Sequence, residues 1–154
     1  MKIIDEQNAK TTFPVALVVS RFNTEITSQL LKGAQDRLLE RGFESDQVTV
    51  VYVPGAVEIP LAAQRLVETG KYKAVVALGA VIRGETTHYD YVCQMVSQGC
   101  LQVSLQHDVP VIFGVLTTEN EAQAQDRLGG AHGHKGRDAI DTAVETVSTL
   151  AKLS

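Results

Sequence analysis

The densest run of chemistry-bearing residues in the chain is Gly79-Ala80-Val81-Ile82-Arg83-Gly84-Glu85-Thr86-Thr87-His88. It leaves an apolar run and enters a helical pattern. Gly84 lets the backbone come close to a ligand, and the amides of Glu85 and Thr86 fall at a helix start. Unpaired N–H groups and the helix dipole attract phosphate to such a place. The spacing Gly79-x4-Gly84 is that of a nucleotide P-loop, but Glu85 stands where that loop needs Lys. A dinucleotide G-x-G-x-x-G is absent as well. The plainer reading is a turn with a Thr cap. His88 follows Thr86 by two residues, so its ring can sit beside an anion held there and move protons near neutral pH. An exposed helix-start histidine is the other reading.

Three further segments carry polar or aromatic groups. In Ser20-Arg21-Phe22-Asn23 the Phe either stacks on a flat ring or joins the core, and Asn23 is a good helix cap. In Pro54-Gly55-Ala56-Val57-Glu58-Ile59-Pro60 the small residues leave backbone groups open to a ligand. Glu58 there either accepts hydrogen bonds from hydroxyls or complements a helix dipole. Residues 127–137 gather Arg127, His132, His134, Lys135 and Arg137 among glycines. His132-x-His134 invites a metal reading, yet no carboxylate or Cys completes a ligand set at familiar spacing. Arg127 suits an anion better, because a guanidinium fork matches phosphate oxygens.

The elements that must position these groups are legible as alternating patterns. Apolar, Val-rich runs at 15–20, 48–53, 74–78 and 111–116 read as strands covered on both faces. Helical stripes lie between them: Ile26, Leu30, Ala34 and Leu38; then Ile59, Ala62, Ala63, Leu66 and Val67; then Tyr89, Val92, Cys93, Val96, Cys100 and Val103; and finally Ile140, Ala143, Val144, Val147, Leu150 and Ala151. Gly42 and Gly70 follow helices where a left-handed residue is wanted. Thr118 with Glu121 predicts a capping box for a short helix that Gly129-Gly130 ends. Strand–helix alternation implies a parallel sheet with right-handed crossovers, and ligands bind at the carboxyl ends of its strands. Residues 1–12 belong to no element and are either loose or pair with a neighbouring subunit.

The bulk numbers agree. A length of 154 residues suits one domain with its own core. A net charge of −4 without a basic run argues against nucleic acid. No apolar run is long enough to span a membrane. Cys93 and Cys100 sit too far apart on one helix for a disulfide, which fits free thiols in a cytoplasmic protein. A flavodoxin phosphate loop or a receiver acidic pair would follow the first strand, and neither is present.

Taken together, Ser20-Arg21-Phe22-Asn23, Val53-Pro54-Gly55-Ala56-Val57-Glu58-Ile59-Pro60, Ala77-Leu78 with the run 79–88, and Phe113-Gly114-Val115-Leu116-Thr117-Thr118 closely resemble the lumazine synthase family of riboflavin biosynthesis. The resemblance runs from about residue 13 to the end. It implies a flavodoxin-like three-layer α/β/α sandwich with a four-stranded parallel sheet. It also implies condensation of 5-amino-6-(D-ribitylamino)uracil with 3,4-dihydroxy-2-butanone 4-phosphate, without metal or organic cofactor. By resemblance, Phe22 stacks on the pyrimidine, and backbone groups at Ala56, Val57, Ala80, Val81 and Ile82 hold its edges and the ribityl chain. Glu58 binds ribityl hydroxyls; Glu85 and Thr86 amides hold phosphate, completed by Arg127 of the neighbouring subunit; His88 shuttles protons. Phe113 closes the ring pocket from the adjacent subunit, with Asn23 and Lys135 as secondary contacts. Val57 stands where the family often has an aromatic residue, and His134 where it commonly has Asn. Family members form pentamers or shells of sixty subunits. The short loop 129–136 favours the shell, with riboflavin synthase as a candidate partner. The rival expectation is a non-catalytic flavin-binding or shell-forming protein on the same fold.

Overall fold

The computed structural model describes residues 1–153. Its elements run β1 (Val15–Ser20), α1 (Thr24–Glu40), β2 (Val48–Val53), α2 (Ile59–Glu68), β3 (Ala74–Ile82), α3 (His88–His107), β4 (Val111–Thr118), α4 (Glu121–Gln125), β5 (Leu128–Gly130), β6 (Gly133–His134) and α5 (Lys135–Ala151). The main sheet has the order β2-β1-β3-β4 with every pair parallel. β5 and β6 form a separate antiparallel hairpin.

Alternation along the strands divides the core in two. Val15, Leu17 and Val19 of β1, with Val76 and Leu78 of β3, pack under α1 and α5. Ala16, Val18, Val75 and Ala77 point the other way, under α2 and α3. Helices therefore cover both faces, the three-layer arrangement the resemblance implies. Leu17, Leu30, Ile59, Leu78 and Ile140 are fully buried, each contributing about 1.5–3 kcal/mol. Gly42 (φ 87°) and Gly70 (φ 72°) take the left-handed conformation that ends α1 and α2. Cys93 and Cys100 are free thiols, and burial pushes the Cys100 thiol up to about 11, which keeps it inert. Among the described residues no helix is long and apolar enough to cross a membrane.

The structure corrects three local expectations. β3 continues through Gly79 to Ile82, because residues 79–82 stay paired with Val115 to Thr118 of β4; the connecting turn is therefore only residues 83–87. Thr118 ends β4 rather than capping α4, whose cap is Asn120, its side chain accepting the Gln123 amide at 2.9 Å. Gly129 (φ 100°) does not stop α4, which ends at Gln125; it bends the β5–β6 hairpin instead.

Candidate active site

In a sheet of order 2-1-3-4 the crevice opens where neighbouring strands lead their connections to opposite faces, between β1 and β3. Register shows how it forms. β1 pairs with β3 only as far as Val19 opposite Leu78, whereas β4 accompanies β3 to Ile82 opposite Thr118. Past Leu78, the β1-side edge of β3 has lost its strand partner. Ala80, Val81 and Ile82 thus present a short open strand edge to whatever lies in the crevice.

The chain leaving β1 forms one wall. The Arg21 amide donates to the Val53 carbonyl at 2.8 Å and the Phe22 amide to Pro54 at 2.9 Å. These bonds carry the β1–β2 ladder beyond both strands. Asn23 follows in the left-handed region (φ 63°, ψ 48°), and its side chain does not cap α1 as the sequence predicts. It reaches across the crevice, Nδ2 donating to the Ala80 carbonyl at 2.9 Å. The open edge of β3 draws this amide away from the helix. The Asn23 carbonyl still receives the Ile26 and Thr27 amides, and the Thr24 hydroxyl donates to Arg21. Phe22 is 72% exposed, so it is no core residue.

The loop after β2 forms the second wall. Glu58 closes a short 3-10 turn, Ala56–Glu58, by accepting the Gly55 amide on Oε1 at 2.9 Å. That bond aims the carboxylate and leaves its second oxygen able to accept from a ligand.

The turn after β3 forms the third. Arg83 staples it: the guanidinium lies 2.7 Å from Glu119 beyond β4, 3.2 Å from Asp90 in α3, and 4.4 Å above the Tyr89 ring. The Thr86 hydroxyl accepts the His88 amide at 3.3 Å. The amides of Gly84, Glu85 and Thr86 donate to no group among the described residues. They remain open donors at the start of a 20-residue helix, as an oxyanion requires.

These walls enclose a cavity of about 410 Å³ lined by Phe22, Asn23, Ala56, Val57, Glu58, Ala80, Val81, Ile82, Thr86 and His88. Glu85 belongs to the same turn but not to the lining. Phe113, Arg127 and Lys135 lie elsewhere, in a hollow of about 610 Å³ between β4 and the start of α5. Phe113 is 44% exposed there, and Arg127 donates Nη1 to the Gln123 carbonyl at 2.9 Å. Within one chain the predicted site residues therefore form two groups.

Known proteins show which family such a chain falls in. The family model of 6,7-dimethyl-8-ribityllumazine synthase matches residues 12–151. A protein of that name from Coxiella burnetii (strain CbuG_Q212) is 53% identical over 144 residues, covering 94% of this chain and 95% of the relative. One from Salinibacter ruber (strain DSM 13855 / M31) is 52% identical over 138 residues, 90% and 88% of the two chains. The chain belongs to the 6,7-dimethyl-8-ribityllumazine synthase family.

Around the two hollows lie further groups that sequence reasoning passed over. Tyr89 and Val92 line the cavity, though their spacing marks them only as a core stripe of α3. Burial, with the neighbouring Cys93 thiol, raises the Tyr89 phenol above its usual range, so it stays neutral. Arg83 gave no signal beyond its place in the turn. Asp138 lines the second hollow with Arg127 and Lys135; it stands three residues after Lys135, and that spacing on one helix face was the available clue.

Proposed function

We propose that the chain condenses 5-amino-6-(D-ribitylamino)uracil with 3,4-dihydroxy-2-butanone 4-phosphate to 6,7-dimethyl-8-ribityllumazine, releasing phosphate and water. One observation carries this reading: open amides and an imidazole on one turn face a cavity that also holds an exposed Phe ring and a carboxylate. Phe22 stacks on the pyrimidine. The open edge at Ala80, Val81 and Ile82, with Ala56 and Val57, holds its polar rim. Glu58 accepts from ribityl hydroxyls, with Asn23 beside it. Glu85 and Thr86 amides take the phosphate with Arg127. His88 takes and returns protons as the imine forms and phosphate leaves. The gain lies mostly in positioning two partners that react readily once together.

Phe113, Arg127 and Lys135 then come from an adjacent subunit, since in one chain they line a separate hollow. The reading makes the chain one domain, 1–154, with residues 1–12 as an arm that pairs with a neighbour. It makes the assembly a pentamer, twelve of which close a shell of sixty; the short connection between α4 and α5 supports the shell. Riboflavin synthase is the proposed enclosed partner, and the two free thiols support a cytoplasmic setting.

Mixing the protein with both substrates and following lumazine fluorescence tests the reaction. No rate above the uncatalysed one would overturn it and leave flavin binding as the reading. Sedimentation tests the assembly, where a species of five chains' mass rejects the shell.

A further inference from the structure

His134 has no part in the proposed reaction, yet the fold is shaped around its ring. It sits at the junction of β6 and α5, immediately before Lys135. Its Nδ1 accepts the amides of Gly136 at 3.1 Å and Arg137 at 3.4 Å, so an imidazole caps α5 where Asn, Asp or Ser is the usual residue. The ring packs on two glycines. A Cβ placed on Gly33 of α1 would fall 2.1 Å from its Cε1, and one on Gly136 would fall 3.0 Å from the same atom. Glycine inside a helix costs about 1 kcal/mol relative to alanine, so a buried glycine at 33 marks space kept for the ring.

The same residue is tied to the cations of the second hollow. His134 pairs with Leu128 across the β5–β6 hairpin. The next amide, that of Lys135, donates to the Arg127 carbonyl at 2.9 Å. Cap, hairpin, Arg127 and Lys135 therefore form one mechanical unit.

We propose that His134 is a positioning residue. As a neutral imidazole it locks the β5–β6 hairpin and the first turn of α5, so that Arg127 and Lys135 are held ready for a phosphate monoester, and protonation of the ring releases them. The phosphate part rests on the reading of Arg127 given above.

The chemistry is asymmetric. A ring that accepts at Nδ1 carries its proton on Nε2, whereas an imidazolium donates at both nitrogens and accepts at neither. Protonation would set two N–H groups against the new N–H and add positive charge at the positive end of α5. Burial, then Arg137, hold the ring below the ordinary histidine range. Asp138 on α5 and Asp36 on α1 act in the opposite sense. Arg137 is itself paired with Glu40 of α1 at 2.8 Å, and Lys135 lies 3.9 Å from Asp138. Because the folded value is depressed, the cap is fully present above the unfolded value of about 6.5 and is lost as pH falls through the folded one.

The test compares the full-length protein with His134→Asn, which caps without titrating, and His134→Ala, which cannot cap. Hydrogen exchange of peptides covering residues 128–137 is followed from pH 7.5 to pH 5 and corrected for intrinsic rates. At pH 7.5, wild type and His134→Asn should be equally protected, with His134→Ala faster at every pH. Toward pH 5 the wild type should exchange about fivefold faster than His134→Asn, which corresponds to a lost cap of about 1 kcal/mol. Wild type tracking His134→Asn throughout, or His134→Ala protected like wild type, overturns the proposal. The ratio of their KM values for the phosphate substrate should rise similarly toward pH 5, with kcat nearly level. The substrate phosphate titrates near pH 6 in both assays, so the ratio isolates His134. A changed exchange with an unchanged ratio overturns the positioning role. If Arg127→Ala also leaves that KM unmoved, the phosphate reading has failed instead, and a pH-dependent exchange difference still supports the cap.

Discussion

At His88 the first position of α3 places an imidazole one turn from three unpartnered amides. The proposed reaction gives proton transfer to the side chain and anion binding to the backbone, and substitutions should separate them. His88→Ala should lower kcat severalfold or more, short of the roughly 10²-fold or greater contribution of a positioned acid–base, because the open amides remain. Turnover at the wild-type rate in a fluorescence assay would remove the proton role. Arg127→Ala should raise KM for the phosphate substrate about tenfold, the scale of a hydrogen bond to a charged group, and move the pyrimidine KM less. A change confined to the pyrimidine would reassign Arg127. Asn23 serves differently, by joining β1 to the open edge of β3. Asn23→Gly keeps the left-handed backbone and loses the bond, so thermal unfolding should show a loss of about 1 kcal/mol. Asn23→Ala should lose about 1–2 kcal/mol more, the added strain of φ 63°. Equal losses would mean that the backbone conformation there is unstrained.

At the scale of elements, α1 and α5 are joined by charge as well as by apolar packing. Asp141 receives Nε of both Arg37 and Arg41 at 2.7 Å, and Glu40 receives Arg37 at 3.0 Å and Arg137 at 2.8 Å. Arg137 and then Arg37 hold the Glu40 carboxyl down to about 2. A depressed carboxyl supplies stability that is present above its unfolded value and lost as pH falls through the folded one. The melting-temperature gap between wild type and Glu40→Gln should therefore be small, as for exposed pairs, steady above about pH 4.5, and shrink toward pH 2. A gap that widened on acidification would contradict the pairing. Strands and long helices were legible because Val-rich runs and four-residue apolar spacing report burial directly. What escaped depends on contacts distant in sequence. Gly79 looked like a break, but pairing with Val115 keeps it in β3. Asn23 looked like a cap, but a carbonyl 57 residues away takes its amide. The β5–β6 hairpin has too few apolar residues to show any period. Of the site, types and order could be read from motifs, and the resemblance implied that Phe113 and Arg127 come from a neighbouring subunit; spacing alone showed none of that division, since no spacing reveals which face of the molecule a loop reaches.

For the whole molecule, that division has a consequence in assembly. The cavity of His88 and the hollow of Arg127 are distinct concavities of one chain. If each chain lends its Arg127 hollow to the His88 cavity of the next, the contact is head-to-tail, the kind that closes into a ring in the proposed pentamer. Two impaired proteins would then cure each other. Where a His88→Ala chain offers its Arg127 to an Arg127→Ala chain that still has His88, an intact site reappears. Co-assembled in equal amounts, the pair should recover about a quarter of wild-type sites by random neighbouring, while each alone stays impaired. Recovery indistinguishable from the average of the two separate variants would place both residues in one chain's site. A protein built that way would be heritable as one gene but functional only as a neighbourhood: a defective copy could be rescued by the chain beside it, and could also spoil it.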